Sequence, residues 1–161
     1  MLGFLERRGW IVLAVLAGVL VMFGAWDVPR GLEADPAISY GLTGKTLVQL
    51  RAESADAYEV ADVTVRWGGI SILTLALLLL AIIVTAYRDG QRWAWWTLWL
   101  LPLWSASVAA MGFVVDLAPG TAPPPPMVSG PIFFAIAAAI LLGSARRFFR
   151  PATMDEKAAV S

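Results

Sequence analysis

Cysteine and histidine are both missing from the 161-residue sequence. Each absence closes a class of chemistry. Without cysteine the chain cannot form a disulfide, a thiol redox pair or a thiolate metal site, and without histidine it cannot ligate haem or zinc through imidazole. A general acid or base would have to be a carboxylate, a lysine, a tyrosine or a group on a ligand. Charge is scarce as well. Only 15% of residues are charged, and 12 Lys and Arg balance 12 Asp and Glu, so no basic surplus points to nucleic acid.

Apolar side chains fill the space that charge leaves. The chain is 59% hydrophobic, with a mean hydropathy of +0.72, against about 45–50% apolar and about 25% charged in ordinary soluble domains. The surplus lies in four blocks, at residues 10–26, 67–87, 93–115 and 127–149. A membrane-crossing helix needs roughly 20 apolar residues. A barrel strand would be about 10 residues long with strict alternation, which "LTLALLLLAIIV" (73–84) does not show. The expected fold is all-α: a four-transmembrane-helix bundle over residues 1–150, with a disordered tail at 151–161.

Lys and Arg in short loops set orientation, because they stay on the cytoplasmic side. An even number of spans puts both termini together. Their side carries Arg7, Arg8, Arg88, Arg92, Arg146, Arg147, Arg150 and Lys157. The other side carries Arg30, Lys45, Arg51 and Arg66, outnumbered there by acids. Both termini are therefore expected in the cytoplasm. Arg7 and Arg8 before an apolar stretch ending in Phe23-Gly24-Ala25 also loosely resemble a signal peptide. The stretch is long for that role and Phe23 is bulky where a small residue is wanted, so the first span is expected to stay on the chain.

Tryptophan placement follows the same logic. In "RDGQRWAWWTLWLLPLW" (88–104), Trp93, Trp95 and Trp96 follow Arg92 at the depth where indoles meet headgroups, and Trp10, Trp26 and Trp67 lie at other span ends. Trp99 and Trp104 lie deeper, about 9 Å and about 16 Å along the helix from Trp93. Pro102 has no N–H for the Leu98 carbonyl, so a kink is expected beside them. Tight packing is favoured there over a cavity.

The 40 or so residues between the first two spans form the expected extracytoplasmic segment. Its first half, "DVPRGLEADPAISYGLTGK", is rich in turn formers; Thr46 and Gln49 then stand at capping-box spacing, so a helix should start near Leu47. After a reset at Ser54, a helical stretch ending at Arg66 should run on into the second span, the whole covering residues 46–66. Asp62 and Arg66 are spaced for an i, i+4 pair. In the second such loop, Pro123 to Pro126 favours a short polyproline II stretch.

Ionisable groups buried in a membrane are default functional candidates, and the middles of these four blocks hold none. That weighs against proton-coupled antiporters built on a buried glutamate. Missing cysteines exclude four-helix thiol oxidoreductases and the paired loop cysteines of claudin-like proteins. What remains is a set of charges at the span ends, Asp27, Asp62, Arg66 and Asp116, in which Asp27 and Asp116 could share Arg66. With Tyr58, Trp26 and Trp67 this is one candidate site; the Trp99, Pro102 and Trp104 region is the other. Solvated end charges are the plainer reading of the first. No metal site and no cofactor is expected. Small residues at spacing four, Ala14 with Gly18 and Ala135 with Ala139 and Gly143, suggest close helix packing or an oligomer face. Gly68 and Gly69 would let the second span bend or sit against a neighbour.

The stretch Arg88-Asp89-Gly90-Gln91-Arg92-Trp93-Ala94-Trp95 opening a third span, after an amphipathic helix before the second, resembles small bacterial four-helix integral membrane proteins. The resemblance implies a four-helix bundle in the bacterial cytoplasmic membrane and brings no established reaction. The leading expectation is a non-enzymatic membrane protein that packs with lipid, with a partner subunit or with its own copies. The alternative is a binder of a lipid or other hydrophobic small molecule. An enzyme on a lipid-like substrate is the weakest, because no carboxylate pair stands at a catalytic spacing. A reporter fused after Ser161 should report from the cytosol, and one inserted after Lys45 from the far side; the opposite pattern in whole cells would reverse the orientation.

Overall fold

Apolar blocks of this length satisfy their backbone polar groups internally by coiling into helices. The structure, a computed structural model, describes residues 2–149, which are mostly helical with no strand among them. Four helical segments, 23 to 33 residues long, are long and apolar enough to cross a membrane. The tail expected at 151–161 lies outside the described residues.

The first span is α1 (Leu2–Arg30). A 3-10 turn (Gly31–Ala34), α2 (Pro36–Thr43) and α3 (Leu47–Glu53) lead to α4 (Ala55–Ile82), the second span. The capping box is formed: Gln49 N–H donates to Thr46 Oγ1 at 3.3 Å, and Thr46 N–H donates to Gln49 Oε1 at 2.8 Å. Ser54 breaks the helix and restarts it, accepting from Ala57 N–H at 3.2 Å. From there α4 runs without interruption into the second span. Helix α2 replaces the turns expected around Asp35 and Pro36. The Asp35 side chain accepts from Ala37 N–H at 3.1 Å and Pro36 takes the first helical position, where a missing N–H is harmless.

A π-turn over Ile83–Tyr87 ends the second span. Its wider coil brings Tyr87 inward, where the hydroxyl meets Ser144 Oγ at 2.7 Å and the ring lies 4.8 Å from that of Phe148. The third span is two pieces, α5 (Arg92–Thr97) and α6 (Leu100–Val114). The break falls where Pro102 releases the Leu98 carbonyl; Leu101 N–H takes that carbonyl at 3.1 Å and the chain tightens through Leu98 and Trp99. The fourth span is α7 (Pro125–Phe149). The proline run is thus divided, since Pro125 and Pro126 open the helix instead of continuing an extended stretch.

In packing order the spans are α4, α1, α7 and α6, with α1 and α7 at the centre. The core is a layer of Leu13, Leu20, Leu79, Ile83, Leu98 and Leu141. Two close approaches fix it. A Cβ on Gly24 would stand 2.7 Å from the Leu73 nitrogen and 2.8 Å from the Gly69 carbonyl oxygen, so α1 and α4 touch backbone to backbone. A Cβ on Gly130 would stand 3.0 Å from the Ser105 carbonyl oxygen, which sets α7 against α6. The small-residue stripes read from the sequence are not these contacts. Gly18 and Gly68 face open space, and Ala135 and Ala139 are exposed. Ser71, Thr74, Ser105 and Ser107 each return a hydrogen bond to the carbonyl four residues back.

Arginines gather at one end of the bundle. Arg88 lies over the Trp10 ring at 5.3 Å, Arg92 Nε donates to the Phe148 carbonyl at 2.8 Å and Arg147 donates to the Arg88 carbonyl. Helices α2 and α3 and the 115–124 loop occupy the other end. Gly24→Ala or Gly69→Ala should destabilise the protein by about 1–3 kcal/mol through overpacking. Gly18→Ala should be neutral or stabilise by up to about 1 kcal/mol. Thermal unfolding in mild detergent measures both.

A candidate ligand cavity beneath the cap

Helix α1 packs closely on α4 at Gly24, and α6 on α7 at Gly130, while α1 and α6 share no extensive contact. A cavity of about 300 Å³ lies between them, at the lower end of the roughly 300–1,000 Å³ typical of small-molecule sites. Helix α1 contributes Leu20, Phe23 and Asp27, one face at helical spacing, with Trp26 beside them. Facing these are Trp104 and Val108 of α6 and Phe133 of α7. Ser129, with its small side chain, and Gly130, at the close approach of α7 to α6, complete the wall. Ala34, Asp35 and Ile38 close the top. The expectation of tight packing around Trp104 is thus corrected: its ring is a cavity wall.

The polar groups of the cavity are few and acidic. The Asp27 carboxylate has no hydrogen bond or ion pair among the described residues, and it is repelled by Asp35. Asp35 is partly satisfied as the cap of α2. Arg30, one turn beyond Asp27, lies on the Trp26 ring at 3.1 Å from its centroid. Trp26 Nε1 donates to the Ala34 carbonyl at 3.3 Å, which ties α1 to the cap.

The four end charges are not one cluster. Arg66 closes on Asp62, Nε to Oδ2 at 2.7 Å, rather than on Asp27 or Asp116. Its Nη1 donates to the carbonyls of Val28 at 2.9 Å and Pro29 at 2.7 Å, the last turn of α1, which otherwise lacks partners. Asp62 Oδ1 in turn accepts from Leu32 N–H at 2.9 Å. Gly31 lies against this carboxylate with φ +58, where a Cβ would collide with the carboxylate, so glycine is needed on two counts. Asp62 and Arg66 therefore latch the end of α1 to α4. Asp116 is exposed beyond α6, and Tyr58 is buried with the Arg51 guanidinium 5.0 Å from its ring centroid. Of the residues singled out in the sequence, Asp27 and Trp104 meet in the cavity, together with Trp26.

Trp99 belongs to a separate aromatic group near the basic end. Its ring is 5.7 Å from that of Trp95, and its Nε1 is buried without an acceptor. Trp95 departs from the interfacial role expected of it: it is 6% exposed and donates to the Leu141 carbonyl at 2.8 Å. Phe23, Asp35, Ser129, Gly130 and Phe133 had no distinguishing signal. Asp35 read as a turn residue, and the others look like any apolar or small positions of a span.

Both Trp95→Phe and Trp99→Phe lose ring volume from the core, but only Trp95→Phe also loses a satisfied buried bond, so it should cost about 1 kcal/mol more than Trp99→Phe. Paired thermal unfolding of the two variants tests this. No protein-family profile, curated protein or solved structure matches the chain.

Proposed function

We propose that the protein is a multi-pass protein of the bacterial cytoplasmic membrane, with both termini in the cytosol, that binds a lipid or other hydrophobic small molecule in the cavity between α1, α6 and α7. The observation behind the binding role is the cavity itself, apolar and aromatic over most of its wall and acidic at its mouth. Four spans of sufficient length support the membrane setting, as do large apolar side chains on the outside: Phe113 is 94% exposed and Trp67 70%. In water such a surface would drive aggregation; in lipid it is ordinary. The arginines gathered at the basic end support a cytosolic position for that end, which leaves the α2–α3 cap over the cavity on the extracytoplasmic side.

A second reading, packing against a membrane partner or a second copy, has one observation in its favour. Ala135 and Ala139 on α7 face outward, where a neighbouring helix could approach closely.

Native mass spectrometry of the full chain released from mild detergent separates the two. The binding role predicts a retained small-molecule adduct that Ser129→Phe, filling the cavity, removes while Gly18→Ala keeps it. A bare chain, or an adduct indifferent to Ser129→Phe, would overturn it; a bare chain within a stable complex would favour the partner reading.

A further inference from the structure

We infer that the cavity selects a lipophilic cation: a compact amphiphile whose single ammonium group sits by the carboxylates of Asp27 and Asp35 and whose apolar body lies between Phe23, Trp104 and Phe133. The inference rests on reading this cavity as a binding site and adds the chemistry of its occupant.

Charge is the first argument. Asp27 stands in the last turn of α1, where the helix dipole already places partial negative charge, so a carboxylate there is disfavoured by its own helix. It has no cation to offset this. The arginines at this end of α1 and α4 are engaged elsewhere: Arg30 lies on Trp26, and Arg66 is held by Asp62 and the carbonyls of Val28 and Pro29. No Lys or Arg lines the cavity. A partly buried carboxylate without a partner is costly, and an arriving ammonium group removes that cost.

The second argument concerns anions. The start of α7 lies at the cavity mouth, and a helix N-terminus ordinarily offers free N–H groups to a phosphate or carboxylate. Here Pro124, Pro125 and Pro126 have no N–H, and that of Met127 is taken by the Pro124 carbonyl at 2.9 Å. The donors an anion would use are missing from the first turn, and two carboxylates stand opposite.

Wall chemistry and size complete the case. Indole and phenyl faces attract ammonium groups, and the cavity places Trp104 and Phe133 within the same enclosure as Asp27. A volume of about 300 Å³ suits one ring with a small quaternary head. It is too small for a two-chain phospholipid, whose phosphate would also face the carboxylates.

The test uses the full chain in nanodiscs of an uncharged galactolipid and radiolabelled benzyltrimethylammonium. Competitors are neopentylbenzene, its neutral carbon analogue, and phenylmethanesulfonate, an anion of similar size. Saturable binding at one site per chain is expected, displaced by unlabelled cation and much less by the other two. Asp27→Asn should weaken it about tenfold, equivalent to roughly 1.4 kcal/mol. Asp35→Asn should weaken it less, and Asp116→Asn, outside the cavity, should leave it unchanged. Neopentylbenzene binding as tightly as the cation, or full affinity in a folded Asp27→Asn chain, would overturn the inference while leaving the cavity a binding site. If neither compound binds the folded chain saturably, the binding role itself falls. The cation-over-neutral preference is read on the unaltered sequence, so it decides the matter even if Asp27→Asn fails to fold.

Discussion

The backbone contact between Gly24 and Gly69 is the constraint from which the rest of the arrangement follows. With no side chain on either residue, α1 and α4 approach until a Cβ on one would meet the other helix's peptide atoms. In a hydrocarbon setting helices gain little from burying apolar surface, so such close van der Waals contact carries much of the association. Held to α4 in its second half, α1 shares no extensive contact with α6, which is itself held to α7 at Gly130. The cavity is the space between two tightly joined pairs. It also fixes Asp27, whose Cβ lies where a Cβ on Gly69 would come within 2.8 Å.

Much of this architecture is legible in the sequence because it depends on local signals. Span lengths follow from apolar runs, the capping box from Thr46 and Gln49, the restart of α4 from Ser54, and the break in the third span from Pro102. Each needs only a few neighbouring residues to be decided. Features set by pairs of distant residues are not legible in the same way. Gly24 and Gly69 are 45 positions apart in the numbering, and nothing near either says that they meet. Gly18 and Gly68 look equally suited to packing yet face open space. The candidate site shows the same division. Asp27 and Trp104 stand out as a charge at a span end and an indole deep in a span, while Ser129 and Gly130 are small residues with no sequence signature that would place them on its wall.

Tryptophan illustrates how one residue type serves two solvents. Trp67, Trp93 and Trp96 remain exposed near the ends of their spans, as amphipathic indoles at a headgroup layer would. Trp95, next to Trp96 in sequence, turns inward and uses its N–H on α7, with the two rings edge to face at 4.7 Å. Consecutive helical residues point about 100° apart, so a cluster of indoles must split between the outside of the bundle and its core. Composition alone cannot assign which ring goes where.

The Asp62–Arg66 latch bears on how anything could reach the cavity. The cap is joined to the bundle at one side by Arg66 on the end of α1 and by Leu32 N–H on Asp62. At another it is joined by Gly41, whose carbonyl accepts from Ala118 N–H at 3.1 Å and from Thr121 Oγ1 at 2.9 Å. Trp26 Nε1 on the Ala34 carbonyl adds a further tie. If the bundle lies in lipid as proposed, a molecule entering between α1 and α6 would need none of these bonds broken.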